Sequence, residues 1–553
     1  MAYTGLIRAK AEGFDPLING LTPCPYVVSV CFKARTNYCP RDDEIAEIQT
    51  LLVESTLRLQ HLDAEIADLH KAIHKLATER AGLSAYVDAH KALISPVRRL
   101  PLDIIQEIFV TCLPTDRNCA MSAVEAPILL GRICSAWRAI SLSTPRLWAK
   151  LHVVEPFPPS PSSVAFLEKS LVQRIETTKL WLRRSGQCPL SISIKATDSS
   201  TESSVSINQI NQILKALLPF ASCWEHITFT IPFSALATVS HLTEADVPML
   251  QSVNIWQHTF GHADRYSLGF LRGPKVNSFH ISTNAFRLAE FPLRWERLTD
   301  VRIMRWGWES WTSEDSLQLF SQCPQLRTCQ LLVREDVDII SAVGEHILEL
   351  PFLHTLHLDC ETTSLTIPRL FGRVSLPRLK NIKSSGLRDS DGTDDISFAP
   401  LFAAAPLIES VDVSINMFSK LALKEFLRDL PPTVHKIVVT QMYASSSANF
   451  DAEILESLIP SADIPTLCCP ALQVLEINGG CAFSDEALLR FIQSRTLKRI
   501  VIHFSRAMQL DIRSELQSLV QSGLHLDLVY TPPRMPQSSV WEGLPDAHLF
   551  IQP

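Results

Sequence analysis

The chain has 553 residues, 46% of them apolar and 20% charged, with 51 Lys and Arg against 58 Asp and Glu for a net charge of −7. Such a chain is long enough for two or three domains, and its acidic balance argues against an obligate nucleic-acid partner, which would demand a basic footprint. No run of about 18 uncharged apolar residues occurs, so no membrane-spanning helix is expected. Arg8, Lys10, Glu12 and Asp15 stand where a signal peptide needs its apolar core. Fourteen scattered cysteines without a Cys-x-x-Cys pair read as reduced thiols of a cytoplasmic or nuclear protein.

Residues 1–42 show no periodicity and are expected to be a poorly ordered N-terminal extension; Cys24, Cys31 and Cys39 lack the spacing of zinc ligands. From 43 to 94 the pattern is heptad-like. Ile45, Ile48, Leu52, Leu59, Leu62, Ile66, Leu69, Ile73, Leu76, Leu83, Val87 and Ile94 form a stripe that only Ser55, Arg80 and His90 break. A coiled-coil-like helix about 75 Å long follows. Its seam needs cover, either from a homodimer through the 43–94 helix or from the chain itself folding back. His70 and His74 sit four apart without further ligands and read as a solvated face.

Residues 95–152 open with Arg98-Arg99-Leu100-Pro101, proline setting a helix with Ile104, Ile105, Ile108 and Phe109 on one face. A second run from Ala126 carries Leu129, Leu130, Ile133, Cys134 and Trp137, and a third ends in Pro145-Arg146-Leu147-Trp148. Leu100-Pro101, the isoleucine face, Ile133-Cys134, Trp137-Arg138 and Trp148 together resemble an F-box, the adaptor-binding motif of SCF-type (cullin-RING) ubiquitin ligases. The phrases LPTDRN, EAPILLGRICSAWR and LSTPRLW are similar to the large F-box family of mushroom-forming fungi, whose chains usually begin near the position of Asp42; residues 1–42 then read as an extension or a gene-model artefact. The resemblance implies a three-helix F-box in which Leu100, Pro101, Ile104, Ile108, Ile133, Trp137 and Trp148 serve a Skp-type adaptor. Cys134 reads as packing, and the polar 115–125 loop as a loose connection.

Residues 153–186 read as a stiff proline-rich joint and a helix. Beyond it a phrase recurs: proline, any residue, an aliphatic, then apolar residues three and five positions on, as in Pro248-Met249-Leu250 with Val253 and Ile255. The anchors Leu250, Val276, Leu298, Leu326, Leu353, Leu379, Ile408, Val434, Leu472 and Leu497 stand 22–29 residues apart, save one gap of 38 (472 − 434). That is the period of leucine-rich repeats, and it predicts an irregular α/β solenoid over 187–540 with a short tail at 541–553. Helices are expected at 314–322, 337–349, 422–430, 452–458, 485–493 and 514–521. Side chains between the strand aliphatics would face a partner: Trp256, Arg302, His357, Asp359, Lys383, Glu476 and Arg499. Trp306, Trp308 and Trp311 form either a recognition anchor or packing under a loop.

The fold class is thus multidomain α plus α/β: a long helix, a three-helix F-box and a leucine-rich-repeat-like solenoid. No phosphate loop, Gly-x-Ser-x-Gly elbow or His-Glu-x-x-His occurs, and no metal site or cofactor is expected. The expected function is a non-catalytic substrate receptor that binds a Skp-type adaptor, and through it the cullin-RING ligase, and also a protein substrate. The alternative is an F-box and repeat scaffold outside any ligase.

Overall fold

The computed structural model describes residues 41–94, 96–156, 164–196, 204–256, 267–283, 291–305, 311–334, 347–360, 363–386, 398–441, 450–460 and 468–530. The expected extension, Trp306, Trp308, the proline run at 157–163 and the tail lie outside them. The chain divides into two units, at Ile105 and Gln106.

In the first unit one helix, α1 (Asp42–Leu93), runs for 52 residues. Asp42, Asp43 and Glu44 in its first turn and His90 and Lys91 in its last complement the helix dipole, and Glu44 accepts from the Arg41 amide at 3.1 Å. Its described seam side chains stand open to solvent, Leu69 at 62% and Leu76 at 64%. A second helix, α2 (Leu102–Thr111), begins after Pro101 as the proline predicts and carries the division between the units within it.

The second unit continues with two short helices, α3 (Leu130–Ile133) and α4 (Ser135–Ser143). The single run expected from Ala126 is broken at Cys134, whose backbone is extended and whose Sγ accepts from the Trp137 amide at 3.4 Å. Cys134 is exposed, so it caps a helix and does not pack, contrary to the sequence reading.

Among the described residues a parallel sheet of fourteen strands follows, each strand pairing with the next in chain order. These are β1 (Lys150–Val154), β2 (Leu190–Lys195), β3 (Trp224–Thr230), β4 (Ser252–Trp256), β5 (Ser278–Thr283), β6 (Asp300–Arg305) and β7 (Thr328–Val333). The rest are β8 (Thr355–Cys360), β9 (Asn381–Gly386), β10 (Ser410–Ser414), β11 (Lys436–Thr440), β12 (Val474–Asn478), β13 (Arg499–Phe504) and β14 (His525–Tyr530). A parallel sheet is usually buried on both faces. Here burial alternates along the strands, as in β7, β8 and β12, because one face packs on the connecting segments and the other stays open. The anchors Leu250, Leu298, Leu326, Leu353, Leu379, Ile408 and Val434 are fully buried, which explains their recurrence.

The sheet starts earlier than the repeats suggested. β1 follows Trp148 almost directly and pairs with β2, so the segment 153–186 begins within one strand of the sheet, leads to the next and is not a joint between two halves. Its helix, α5 (Val164–Arg184), places Trp181 edge-on to Trp148 with ring centroids 4.8 Å apart, and the Arg184 guanidinium lies 4.5 Å from the Trp148 ring. The 115–125 loop is also held firmly. Glu125 accepts from Arg117 at 2.6 Å and from the Ala120 amide at 2.5 Å, while the Cys119 carbonyl accepts from the His152 amide at 2.8 Å on the free edge of β1. The loop thus covers a sheet edge that would otherwise present unpaired donors.

Observed helices at Ser313–Gln322, Lys420–Asp429, Ala452–Ser457, Asp485–Gln493 and Gln517–Gln521 fall where the intervals predicted them. The helix expected at 337–349 lies mostly outside the described residues, and its end instead forms a short strand, Leu348–Glu349, paired with Val374–Ser375. The long gap before Leu472 is secured by Arg495, which donates to the carbonyls of Leu458, Cys469 and Cys468 at 2.6, 2.6 and 2.5 Å. Among the described residues no helix is long and apolar enough to cross a membrane.

Candidate functional site

Two surfaces carry the sequence-predicted residues. In the second unit, Phe109 of α2 and Leu113 just after it turn inward, and the Phe109 ring meets that of Trp137 at 4.8 Å. Leu130 and Leu147 complete this small core. Ile108 has no place in it and is 41% exposed; Leu129, Ile133 (55%) and Leu142 are likewise left open. Four aliphatics, on α2, at the turn before α3, on α3 and on α4, are thus exposed within one short segment, more than a segment with a complete core of its own would leave. In the first unit Pro101 and Ile104 are exposed and Leu100 is half-buried.

Trp137 is half-buried, and Trp148 is not a surface residue. At 3% exposure it sits in the core, its indole N–H donating to the Ser141 carbonyl at 2.8 Å. Its motif position suggested a contact surface; the crossover helix with Trp181 covers it instead.

The second surface is the open face of the sheet. Register carries Arg302 alongside Gln330, then His357, Lys383 and Asp412, so residues far apart in sequence stand in one row. At about 4.8 Å per strand, Arg302 and Glu476 lie six strands, roughly 29 Å, apart along it. Trp256 is partly exposed on β4.

Most charges on this face are matched by neighbours. Lys383 meets Asp412 at 3.0 Å, and Glu476 lies 3.2 Å from Lys436 and 3.4 Å from Arg499. His357 meets Asp359 at 3.1 Å, with Ser385 donating to the same carboxylate, and His280 meets Asp300 at 2.9 Å. Burial pushes the carboxyls of Asp300 and Asp359 up, but His280 with Arg302 and Ser278 in the one case, and His357 with Ser385 and Gln330 in the other, outweigh it and hold both below the usual carboxylate range. The histidine–aspartate pairing was not read from the sequence, although the alternation along each strand places His280, Asp300, His357 and Asp359 on one face.

A groove of about 1050 Å³ at the β1–β3 end also escaped sequence reading; Arg117, Arg146, Lys150, His152, Ser193 and His226 are among its walls. Its lining comes from a loop and strands distant in the chain.

Several buried thiols are held protonated and so are poor nucleophiles. Burial pushes Cys119 up to about 11 and Cys323, Cys469 and Cys481 up to about 12. Among the described residues no group of three His, Cys, Asp or Glu is arranged to hold a metal. Trp311, one of the three tryptophans weighed as an anchor, is buried and donates to Ser316 at 2.9 Å.

No protein-family model matches the chain, and no curated protein matches it. Among solved structures, a chain of the yeast Rad7–Elc1 complex is similar at 12% identity and a TM-score of 0.29, over 59% of this chain and 86% of that one. A protein from Bacteroides fragilis is similar at 12% identity and a TM-score of 0.20, over 64% and 68%. The fold rests on the strand order, not on these likenesses.

Proposed function

We propose that the chain is the substrate-recognition subunit of an SCF-type ubiquitin ligase, with residues 95–152 an F-box and the sheet a leucine-rich-repeat-like platform. The observation that carries this reading is the stranded aliphatic surface at Ile108 and Ile133, in a segment whose wording resembles an F-box. These residues would dock on a Skp-type adaptor that brings the cullin and RING subunits. The open sheet face would hold a protein substrate, Trp256 and Arg302 offering an aromatic and a cationic contact, in the cytoplasm or nucleus.

Nothing in this role requires a catalytic residue. The receptor raises the local concentration of substrate near the charged conjugating enzyme, a proximity effect. Segment 106–148 runs directly into the sheet through Trp148 and the edge-covering loop, so adaptor and substrate would be held by one unit.

Ubiquitination of proteins that co-purify with the chain tests the reading. It is expected to fall at least about tenfold for an Ile108→Asp, Ile133→Asp variant that still captures them, a loss of proximity alone being able to supply that factor. Capture with no ubiquitination by the wild type would favour the scaffold reading.

A further inference from the structure

The seam of α1 is open along its whole described length. We propose that a second copy of this chain covers it, as a parallel, in-register, two-stranded coiled coil over residues 45–94. With Ile45 at heptad position a, the a sites from mid-helix onward hold Ile66, Ile73, Arg80, Val87 and Ile94, and the d sites hold Leu62, Leu69, Leu76, Leu83 and His90. β-branched residues at a with leucine at d favour two parallel strands over three or four.

The flanking charges agree. In a parallel pair each g residue faces the e residue five positions on in the other copy. Arg58 therefore faces Asp63 of the second copy, twice by symmetry, and Glu65 faces His70. No g–e pair brings like charges together. Arg80 is the one charged residue at an a site, and Glu79 precedes it at g; in register, each Arg80 lies beside Glu79 of the other copy. A slip of one heptad would set Arg80 against Ile73 or Val87 with no acceptor, so the pair fixes register as a lone polar a residue does. An antiparallel pair would instead face Leu83 with Leu52. The inference stands independently of the adaptor reading.

The test uses the full chain. Sedimentation equilibrium at micromolar concentration is expected to give twice 61.8 kDa. Ile73→Glu with Leu76→Glu should weaken association at least about a hundredfold, two buried aliphatics per strand being lost. Because those changes could also melt the helix, a Leu83→Cys variant is oxidised and its cross-linked peptides are mapped by mass spectrometry. A disulfide joining the introduced thiols of the two copies supports the parallel pair. A monomeric wild type overturns the proposal, as does a dimer that lacks this link but forms a 52–83 link in a Leu52→Cys, Leu83→Cys variant.

Discussion

Replacing Asp485 by alanine is expected to destabilise the C-terminal repeats by roughly 3–5 kcal/mol, the usual result of removing one partner of a buried ion pair. The Asp485 side chain is fully buried. It accepts from Arg506 at 2.7 Å, from the amides of Gln509 and Leu510 at 2.8 Å each, and from the Tyr530 hydroxyl at 3.0 Å. One carboxylate thus ties the helix Asp485–Gln493, the loop after β13 and the last strand. Its loss would leave the Arg506 guanidinium facing the stacked rings of Phe504 and Tyr530 without a counter-charge. In a repeat architecture stability is a sum over neighbours, so the loss should be local. Hydrogen exchange is expected to accelerate from β13 to β14 while β3–β8 keep their protection.

The same carboxylate has a definite pH signature. Burial pushes Asp485 up, but its bonds to Arg506, Leu510, Gln509 and Tyr530 more than offset this and lower it below the ordinary value. A group depressed in the folded state contributes its stability in full above the unfolded value, near 3.9, and loses it as pH falls through the folded value. The C-terminal repeats of the wild type should therefore loosen below about pH 4, and Asp485→Ala should lack that part of the acid transition.

Trp148→Ala should cost roughly 3–5 kcal/mol, as large-to-small changes of buried aromatics do. The ring is held by Trp181, Arg184 and the Ser141 carbonyl, and its removal would leave an indole-sized space between them. Ile133→Ala is expected to change stability by no more than about 0.5 kcal/mol, its side chain being more than half exposed, and yet to weaken adaptor binding. Urea unfolding paired with an adaptor pull-down reads both. If Trp148→Ala left the unfolding midpoint unchanged, its place in the core would be wrong.

What the sequence made legible was what is periodic. The heptads at 43–94 gave one helix, and the proline-led phrases gave strands whose anchors are buried, because a repeated spacing marks a face that must be covered again and again. What it hid depends on contacts between distant residues. Trp148 looked like a surface residue because its cover, Trp181, arrives 33 residues later (181 − 148) on a helix the motif does not include. β1 was missed because its start and that of β2 stand 40 residues apart (190 − 150), beyond the repeat period, and no proline announces it. The 115–125 loop read as loose from its polar composition, but Glu125 and the Cys119 carbonyl give its polar groups fixed partners. On the sheet face, the candidate residues were placed on one side by alternation alone, while their pairing, as between Lys383 and Asp412, needed the register.

The most direct test of the account is co-purification of the full chain with a Skp-type adaptor, comparing wild type with Ile108→Asp, Ile133→Asp. The account predicts a stable complex with the wild type and none with the variant, while the variant keeps the circular dichroism of the folded chain. A folded wild type that fails to bind the adaptor, or a variant that binds it as well as wild type, would contradict it.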